Sequence, residues 1–239
     1  MWLISNKVKV GDSGILEGFC DCHCHLLPDV DDGVNELHET QKILEKWQSL
    51  GVKEVWLTPH IMEDIPNKPE ELKLKFEDLK AVVPEGIELY LAAENMLDNL
   101  FLTRLEQKEL LPLGKTGAYL LVETSYYNPP MDMPRFFERI KDIGYIPVLA
   151  HPERYQYMDM DQYKKWKEKG VKLQLNIPSL IGAYGPEVQR KAEKLLNRGM
   201  YDYCGTDTHS LRFVEYFLNS EISKKTVRKV QQIIAYEDL

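Results

Sequence analysis

Cysteine is scarce, and what there is sits badly for a disulfide framework: four residues in 239, three of them packed between Cys20 and Cys24. A chain this long buries enough core to fold without such staples, so reduced thiols and a cytoplasmic setting are expected. Long apolar runs are missing as well. Nothing approaches the ~20 residues needed to cross a bilayer, and the opening MWLISNKVKVGDSGILEG holds no stretch that reads as a signal peptide. Excess positive charge is absent: with 30 basic against 38 acidic residues the formal charge is −8, which argues against non-specific nucleic-acid binding. No low-complexity tract, linker or charge block divides the chain. The expectation is one domain over residues 19–239, with residues 1–18 as an N-terminal extension packed on or beside it.

What is present is a repeat. Segments of helical period end at glycine, a short β-rich run follows, and that run ends in polar or ionisable residues. VNELHETQKILEKWQSLG places Leu37, Leu44 and Trp47 at helical spacing and stops at Gly51, a residue suited to the position just past a helix. VKEVWLTPH comes next. PEELKLKFEDLKAVV, with Pro69 in its first turn and Leu72, Phe76 and Leu79 on one face, leads through Gly86 into IELYLAAEN. AYLLVETS, YIPVLAHPER, VKLQLNIPS and MYDYCGTDTHS follow Gly117, Gly144, Gly170 and Gly199, and with FCDCHCH in front there are seven strands. Nearly continuous apolar strands alternating with amphipathic helices predict a parallel sheet covered by helices. An open doubly wound sheet and a closed barrel both fit that pattern. Six of the seven strand ends carry chemistry, however, and a barrel brings every strand end to one mouth. A single TIM-like (β/α)7 barrel of α/β class is therefore expected, with its site at the C-terminal mouth.

The stretch FCDCHCHLLPDVDDG concentrates that chemistry. Strand alternation puts Asp21, His23 and His25 on one face and Cys20, Cys22 and Cys24 on the other, so the cysteines are expected as small buried apolar residues. A zinc knuckle would need a second ligand pair, and Cys204 stands alone. His-x-His suits two ligands of one ion. The acidic turn DVDDG reads as a helix N-cap, with Asp31 as the cap and Asp32 as either cap or ligand. Five of the six histidines lie at strand ends, whereas His38 falls inside a helix and is expected in solvent. His60, Glu94, Glu123, His151, Asp207 and His209 complete the candidate set. All but His60 have a plainer alternative: a buried salt bridge for either glutamate, core hydrogen bonding for His151, a turn cap for Asp207 and His209.

On these residues the sequence resembles the PHP (polymerase and histidinol phosphatase) superfamily of metal-dependent phosphoesterases, from about Cys20 to the C-terminus. HCHLLPDVDDG, TPH, AAE, AHPERY and GTDTH are similar to its bacterial manganese-dependent protein tyrosine phosphatase branch, which acts in capsule and exopolysaccharide biosynthesis. Many other PHP proteins carry histidine where this sequence has the second aspartate of DDG. The resemblance implies a PHP-type barrel holding two to three divalent ions, manganese by preference, with iron or zinc compatible with the same donors. It implies a grouping as well: His23, His25, Glu94 and Asp207 on the first ion, Glu94, Glu123 and His151 on the second, Asp32, His60 and His209 on the third. The implied substrate is a phosphotyrosine protein, in particular the tail of a tyrosine autokinase.

A site of that charge acidifies a shared water and grips phosphate oxygens, so that hydroxide attacks phosphorus in line. No thiolate is needed, and the CX5R loop of thiol phosphatases is absent, since position 210, where Cys204 would require arginine, is serine. Arg154 in HPERY is the candidate phosphate clamp, because guanidinium binds phosphate through two parallel bonds, with a surface pair to Glu153 as the alternative. Arg212 is a weaker second candidate for substrate contact. Asp207 and His209 are expected beside Arg154 at the catalytic centre. The proline-bearing loops IMEDIPN and SYYNPPMDMP read as substrate-facing or as plain loop variation. Competing functions are a small-molecule phosphomonoesterase, such as a histidinol-phosphate phosphatase, and a non-catalytic regulator docking on a kinase tail.

Overall fold

The computed structural model describes residues 6–83 and 85–234. The chain opens with β1 (Lys7–Lys9) and a 3-10 turn over Val10–Asp12, then enters β2 (Cys20–Cys24), α1 (Leu37–Ser49), β3 (Glu54–Leu57), β4 (His60–Ile61) and α2 (Pro69–Lys80). β5 (Glu88–Leu91), β6 (Glu94–Met96), α3 (Phe101–Gln107), β7 (Tyr119–Glu123), α4 (Met133–Asp142) and β8 (Ile146–Leu149) follow. The last third holds α5 (Met160–Glu168), β9 (Lys172–Asn176), α6 (Pro186–Asn197), β10 (Tyr203–Gly205), α7 (Leu211–Asn219), β11 (Glu221–Ser223) and α8 (Lys224–Ile234).

The expected alternation of parallel strands and helices is present, but the strands lie in two sheets. One runs β10-β9-β8-β7-β6-β4 and the other β2-β3-β5. The division falls where backbone donors or pairing are lost. Pro59, which has no N–H to give a ladder, separates β3 from β4, and Ala92–Ala93 separate β5 from β6. Pairing is in register on both sides of that break, Leu57 opposite Leu91 and His60 opposite Glu94. At the other edge β2 and β10 approach without forming a regular ladder: Asp207 N–H donates to the His23 carbonyl (2.8 Å) and His25 N–H to that of Thr208 (2.9 Å).

Two apolar clusters sandwich the strands. Leu57, Leu120, Val122, Leu149, Leu173 and Leu175 pack outward against helix residues such as Trp47, Phe137 and Leu195. Cys22, Trp56, Ala92, Leu121, Val148 and Tyr203 form a second cluster on the opposite strand face. α1 buries Thr40, Ile43, Leu44 and Trp47, while Leu37, expected on that stripe, is 42% exposed one turn too early to reach the core. Gly51 follows the helix at φ +88°, the left-handed geometry its position predicted. The repeat breaks before Gly117, because α3 ends at Gln107 with Lys108 itself left-handed. The sequence pattern also holds no sign of β1, which pairs antiparallel with β11 and delivers Val10, Ile15 and Leu16 into the core.

Strand alternation fails in one place. The β2–β3 register slips between Asp21 and Cys24, so two residues of β2 oppose one of β3 and a bulge turns consecutive side chains the same way. Cys20 and Cys22 therefore sit on or in the second cluster, and Cys24 alone joins the helix-facing core. The three cysteines do not share a face as expected. Gln174 touches both the Cys22 sulfur (3.3 Å) and the His23 ring (2.7 Å), which places those neighbours on one side.

The approach of β10 to β2 depends on Gly205. A Cβ there would stand 2.5 Å from His23 Cβ and 3.0 Å from His23 N. Gly205→Ala is expected to lower stability by about 1–3 kcal/mol, the usual cost of overpacking, read as a fall in urea midpoint at unchanged m-value; an unaltered midpoint would show that β10 can retreat from His23.

Candidate metal centre

The sequence-selected ligand-type residues converge on one mouth, all but Asp32 and His209 buried. His23 and His25 leave the bulged end of β2 with their Nε2 atoms 3.2 Å apart. Glu94 at the start of β6 lies between them and the next strand: its Oε2 is 3.2 Å from His23, 3.4 Å from His25 and 3.3 Å from His60 Nδ1, while its Oε1 is 2.9 Å from His151 Nε2. Glu123, closing β7, reaches His60 Nδ1 (3.2 Å) and His151 Nε2 (3.8 Å). Asp207 Oδ1 stands 3.5 Å from both His23 and His25. Asp32 is the exposed member, with 66% of its side chain in solvent, and still meets His60 Nε2 at 3.4 Å and His209 Nε2 at 3.5 Å.

Backbone geometry aims two of these groups. His151 and Asp207 adopt left-handed conformations (φ 31° and 52°), which non-glycine residues seldom hold unless their surroundings fix them. Each turns the chain sharply at the end of a strand and so returns its side chain to the mouth. Gly33 permits another close approach, since a Cβ there would collide with the His25 carbonyl.

Residues the sequence reading did not select orient the ligand-type groups. Asp31 is not a helix cap: α1 begins four residues after Gly33 with no side-chain cap. Its carboxylate, sealed from solvent, accepts from His25 Nδ1 (2.8 Å), Gly33 N (3.0 Å) and His60 N (3.0 Å). Burial alone would raise its pKa, but His25 and the N–H donors outweigh that and hold it below the usual carboxylate range. Gln174 takes the same part for His23 through Nδ1. Asn176 ends β9, the one strand whose terminus looked chemically empty, and its amide donates to Asp207 Oδ2 (2.9 Å). Gln174 and Asn176 are polar residues two apart in an apolar strand, a signal that was available.

The remaining expectations sort cleanly. His38 is exposed beside Glu36, as predicted. Arg154 does not pair with Glu153, which is buried and accepts from Asn176 N (3.0 Å) and Tyr201 (3.0 Å); instead Arg154 Nη1 donates to Asp207 Oδ2 at 2.7 Å. Arg212 is exposed in the first turn of α7 and makes no ion pair among the described residues. The SYYNPPMDMP loop brings Tyr126 over Arg154 and leaves Tyr127 and Met131 exposed, while in IMEDIPN Asn67 ties the His60 carbonyl (2.9 Å) to that of Val30 (2.8 Å).

The donor set fits divalent ions. Four combinations bring their nitrogen and oxygen atoms within 4.8 Å of one another: His23, His25 and Asp207; His23, Glu94 and His151; His60, Glu94 and Glu123; His25, Asp32, His60 and His209. The overlap exceeds the grouping expected by resemblance, because His60 also faces Glu94 and Glu123 and His25 also faces Asp32 and His209. Among the described residues, buried His151 Nδ1 has no hydrogen-bond partner, and His60 Nδ1 makes no bond of hydrogen-bond geometry despite its closeness to Glu94 and Glu123. No thiol enters any group. Burial, reinforced by Glu54, pushes Cys20 up to about 12, and burial drives Cys22, Cys24 and Cys204 well above the ordinary thiol value, so none is a thiolate nucleophile.

A family model described as capsular polysaccharide synthesis, CpsB/CapC, matches residues 19–231. CapC of Staphylococcus aureus is 28% identical over 197 residues, covering 80% of this chain and 77% of that protein. The tyrosine-protein phosphatase YwqE of Bacillus subtilis is 26% identical over 198 residues, with 80% and 78% covered. Among solved structures, that of the metal-dependent tyrosine phosphatases YwqE and CpsB superposes with a TM-score of 0.76 at 23% identity, covering 91% of this chain and 88% of that one.

If Asp31 sets the His25 tautomer, Asp31→Asn is expected to weaken binding of manganese by about ten- to a hundredfold without unfolding the chain. Calorimetric titration of chelator-treated protein measures it; unchanged affinity would reduce Asp31 to a loop brace.

Proposed function

The chain belongs to the CpsB/CapC family of capsular polysaccharide synthesis, and from that premise we propose that it is a metal-dependent protein tyrosine phosphatase. The observation that carries this reading is the convergence of His23, His25, Asp32, His60, Glu94, Glu123, His151, Asp207 and His209 on one mouth, with Arg154 against Asp207. We assign those nine as ligands to two or three divalent ions; the nitrogen-and-oxygen set without thiolate accepts manganese, iron or zinc, and the family resemblance makes manganese the proposed metal. When bound, such ions supply an ionised water and neutralise phosphate charge.

The protein's own groups do the rest. Glu94 presents its two oxygens in different directions, one toward His151 and one toward His23 and His25, as a bridge between neighbouring ions would. Arg154 keeps Nε and Nη2 free of hydrogen bonds among the described residues and offers them to phosphate oxygens. His209, anchored through Nδ1 to the Asp207 carbonyl (2.8 Å), turns Nε2 toward Asp32 at the rim. Tyrosinate leaves with a pKa of about 10, so its departure needs little acid assistance.

The two sheets are read as parts of one (β/α)7 barrel. Support comes from the His25–Thr208 and Asp207–His23 backbone bonds between β2 and β10, and from the inner cluster drawn from strands of both sheets. Residues 1–18 are assigned as an extension packed on the phosphoesterase domain of residues 19–239, a reading supported by the pairing of β1 with β11 and by Val10, Ile15 and Leu16 in the core. No helix among the described residues is long and apolar enough to cross a membrane. The substrate proposed is the phosphotyrosine tail of an autokinase presented in the cytoplasm.

Chelator-treated protein reconstituted with manganese, iron or zinc should hydrolyse phosphotyrosyl peptide and p-nitrophenyl phosphate, with peptide preferred over histidinol phosphate. The reverse preference would make it a small-molecule phosphatase, and metal uptake without hydrolysis would leave a docking regulator. Glu94→Gln is expected to lose about two ions and nearly all activity, whereas Asp32→Asn, altering the exposed edge, should keep about two ions and measurable turnover at high manganese. Equal metal loss in both variants would refute Glu94 as the bridge.

A further inference from the structure

Arg154 is held more tightly than an ion pair with Asp207 requires. Its guanidinium carbon lies over two aromatic rings at once, 4.3 Å from the centroid of Tyr126 and 4.4 Å from that of Tyr184. The three residues come from separate places: Tyr126 from the loop after β7, Arg154 from the 3-10 turn Pro152–Arg154 after β8, and Tyr184 from the loop before α6. Asn176 joins the arrangement from β9, donating to Asp207 Oδ2 (2.9 Å) and to the Tyr184 hydroxyl (3.1 Å). The guanidinium is thus held by two rings and by one bond from Nη1 to Asp207 Oδ2 (2.7 Å).

What remains is one edge. Nε and Nη2 form no hydrogen bond among the described residues, and the side chain keeps 18% of its surface open. An arginine serving only to balance Asp207 has no need of two ring faces. We propose that Tyr126 and Tyr184 are positioning residues that preset Arg154 as a two-pronged phosphate grip, so that no side-chain reordering accompanies capture. The proposal rests on the reading of Arg154 as the phosphate-binding arginine. The ring faces carry the effect, and the phenol hydroxyls do not.

Manganese-loaded protein and inorganic phosphate test it, by calorimetry and by competitive inhibition of p-nitrophenyl phosphate hydrolysis. Tyr126→Leu and Tyr184→Leu are each expected to weaken phosphate binding about three- to tenfold, raising KM by the same factor with a smaller change in kcat, at unchanged metal content. Tyr126→Phe and Tyr184→Phe should recover the affinity lost in the leucine variants. Should Tyr184→Leu fail to fold, Tyr184→Met replaces it, and Tyr126, partly buried at the edge of the core, gives the same reading independently. Arg154→Lys separates the two levels. If it leaves phosphate affinity intact, the clamp reading itself falls. If it weakens phosphate while both leucine variants bind normally, the clamp stands and the bracket is overturned. Equal losses in the Phe and Leu variants would also overturn the bracket by moving the effect to the hydroxyls.

Discussion

Three carboxylates, Glu94, Glu123 and Asp207, are buried together at the ends of three strands, and the rest of the mouth is arranged around their charge. Isolated carboxylates cannot be buried at tolerable cost, so each must meet positive charge or donors. The imidazoles feel the same field. Burial disfavours the charged form of His23, yet Glu94 and Asp207 override it and lift the ring to about 9. Glu94 and Asp207 are correspondingly held well below the carboxylate range: burial opposes this, and His23 is the leading charge that outweighs it. Such a cluster has the charge and the donors to receive cations.

The backbone delivers that cluster through departures from regular strand geometry. A bulge in β2 falls at the Cys22–His23 step, Pro59 interrupts the second strand just before His60, and left-handed residues end the strands at His151 and Asp207. Gly33 and Gly205 then allow backbone contact where any side chain would wedge the strands apart.

This division explains what could be read in advance. Glycine-bounded repeats and apolar strand runs are local patterns, so the strands and the helices after them were legible, as were the eight ionisable groups at strand ends and Asp32 in the turn after the first. The bulge was not, because CDCHC alternates well enough to hide a slipped register that only β3 defines. Asp31 looked like a cap since its local context, an acidic turn before a helix, is the same whether the carboxylate faces a helix N-terminus or an imidazole. Tyr126 and Tyr184 carry no pattern at all. Their meaning lies in a three-body contact across loops 58 residues apart, counted from their positions in the chain.

Asp207 ties the two halves of the mouth together. Its Oδ1 faces His23 and His25, while its Oδ2 accepts from Arg154 and Asn176. A single buried carboxylate thus shares its charge between a metal-type group and the guanidinium that faces the opening. Because Arg154 draws on one oxygen only, the other stays available to a cation, and neither partner must be released for the second to bind. Exposure runs in the same order: His23, His25 and Glu94 are sealed on the floor, Arg154 is partly open, and His209 and Asp32 stand at the rim. A phosphate entering from solvent therefore meets the exposed edge of the site before its buried charge, with the arginine already fixed by the carboxylate beneath it.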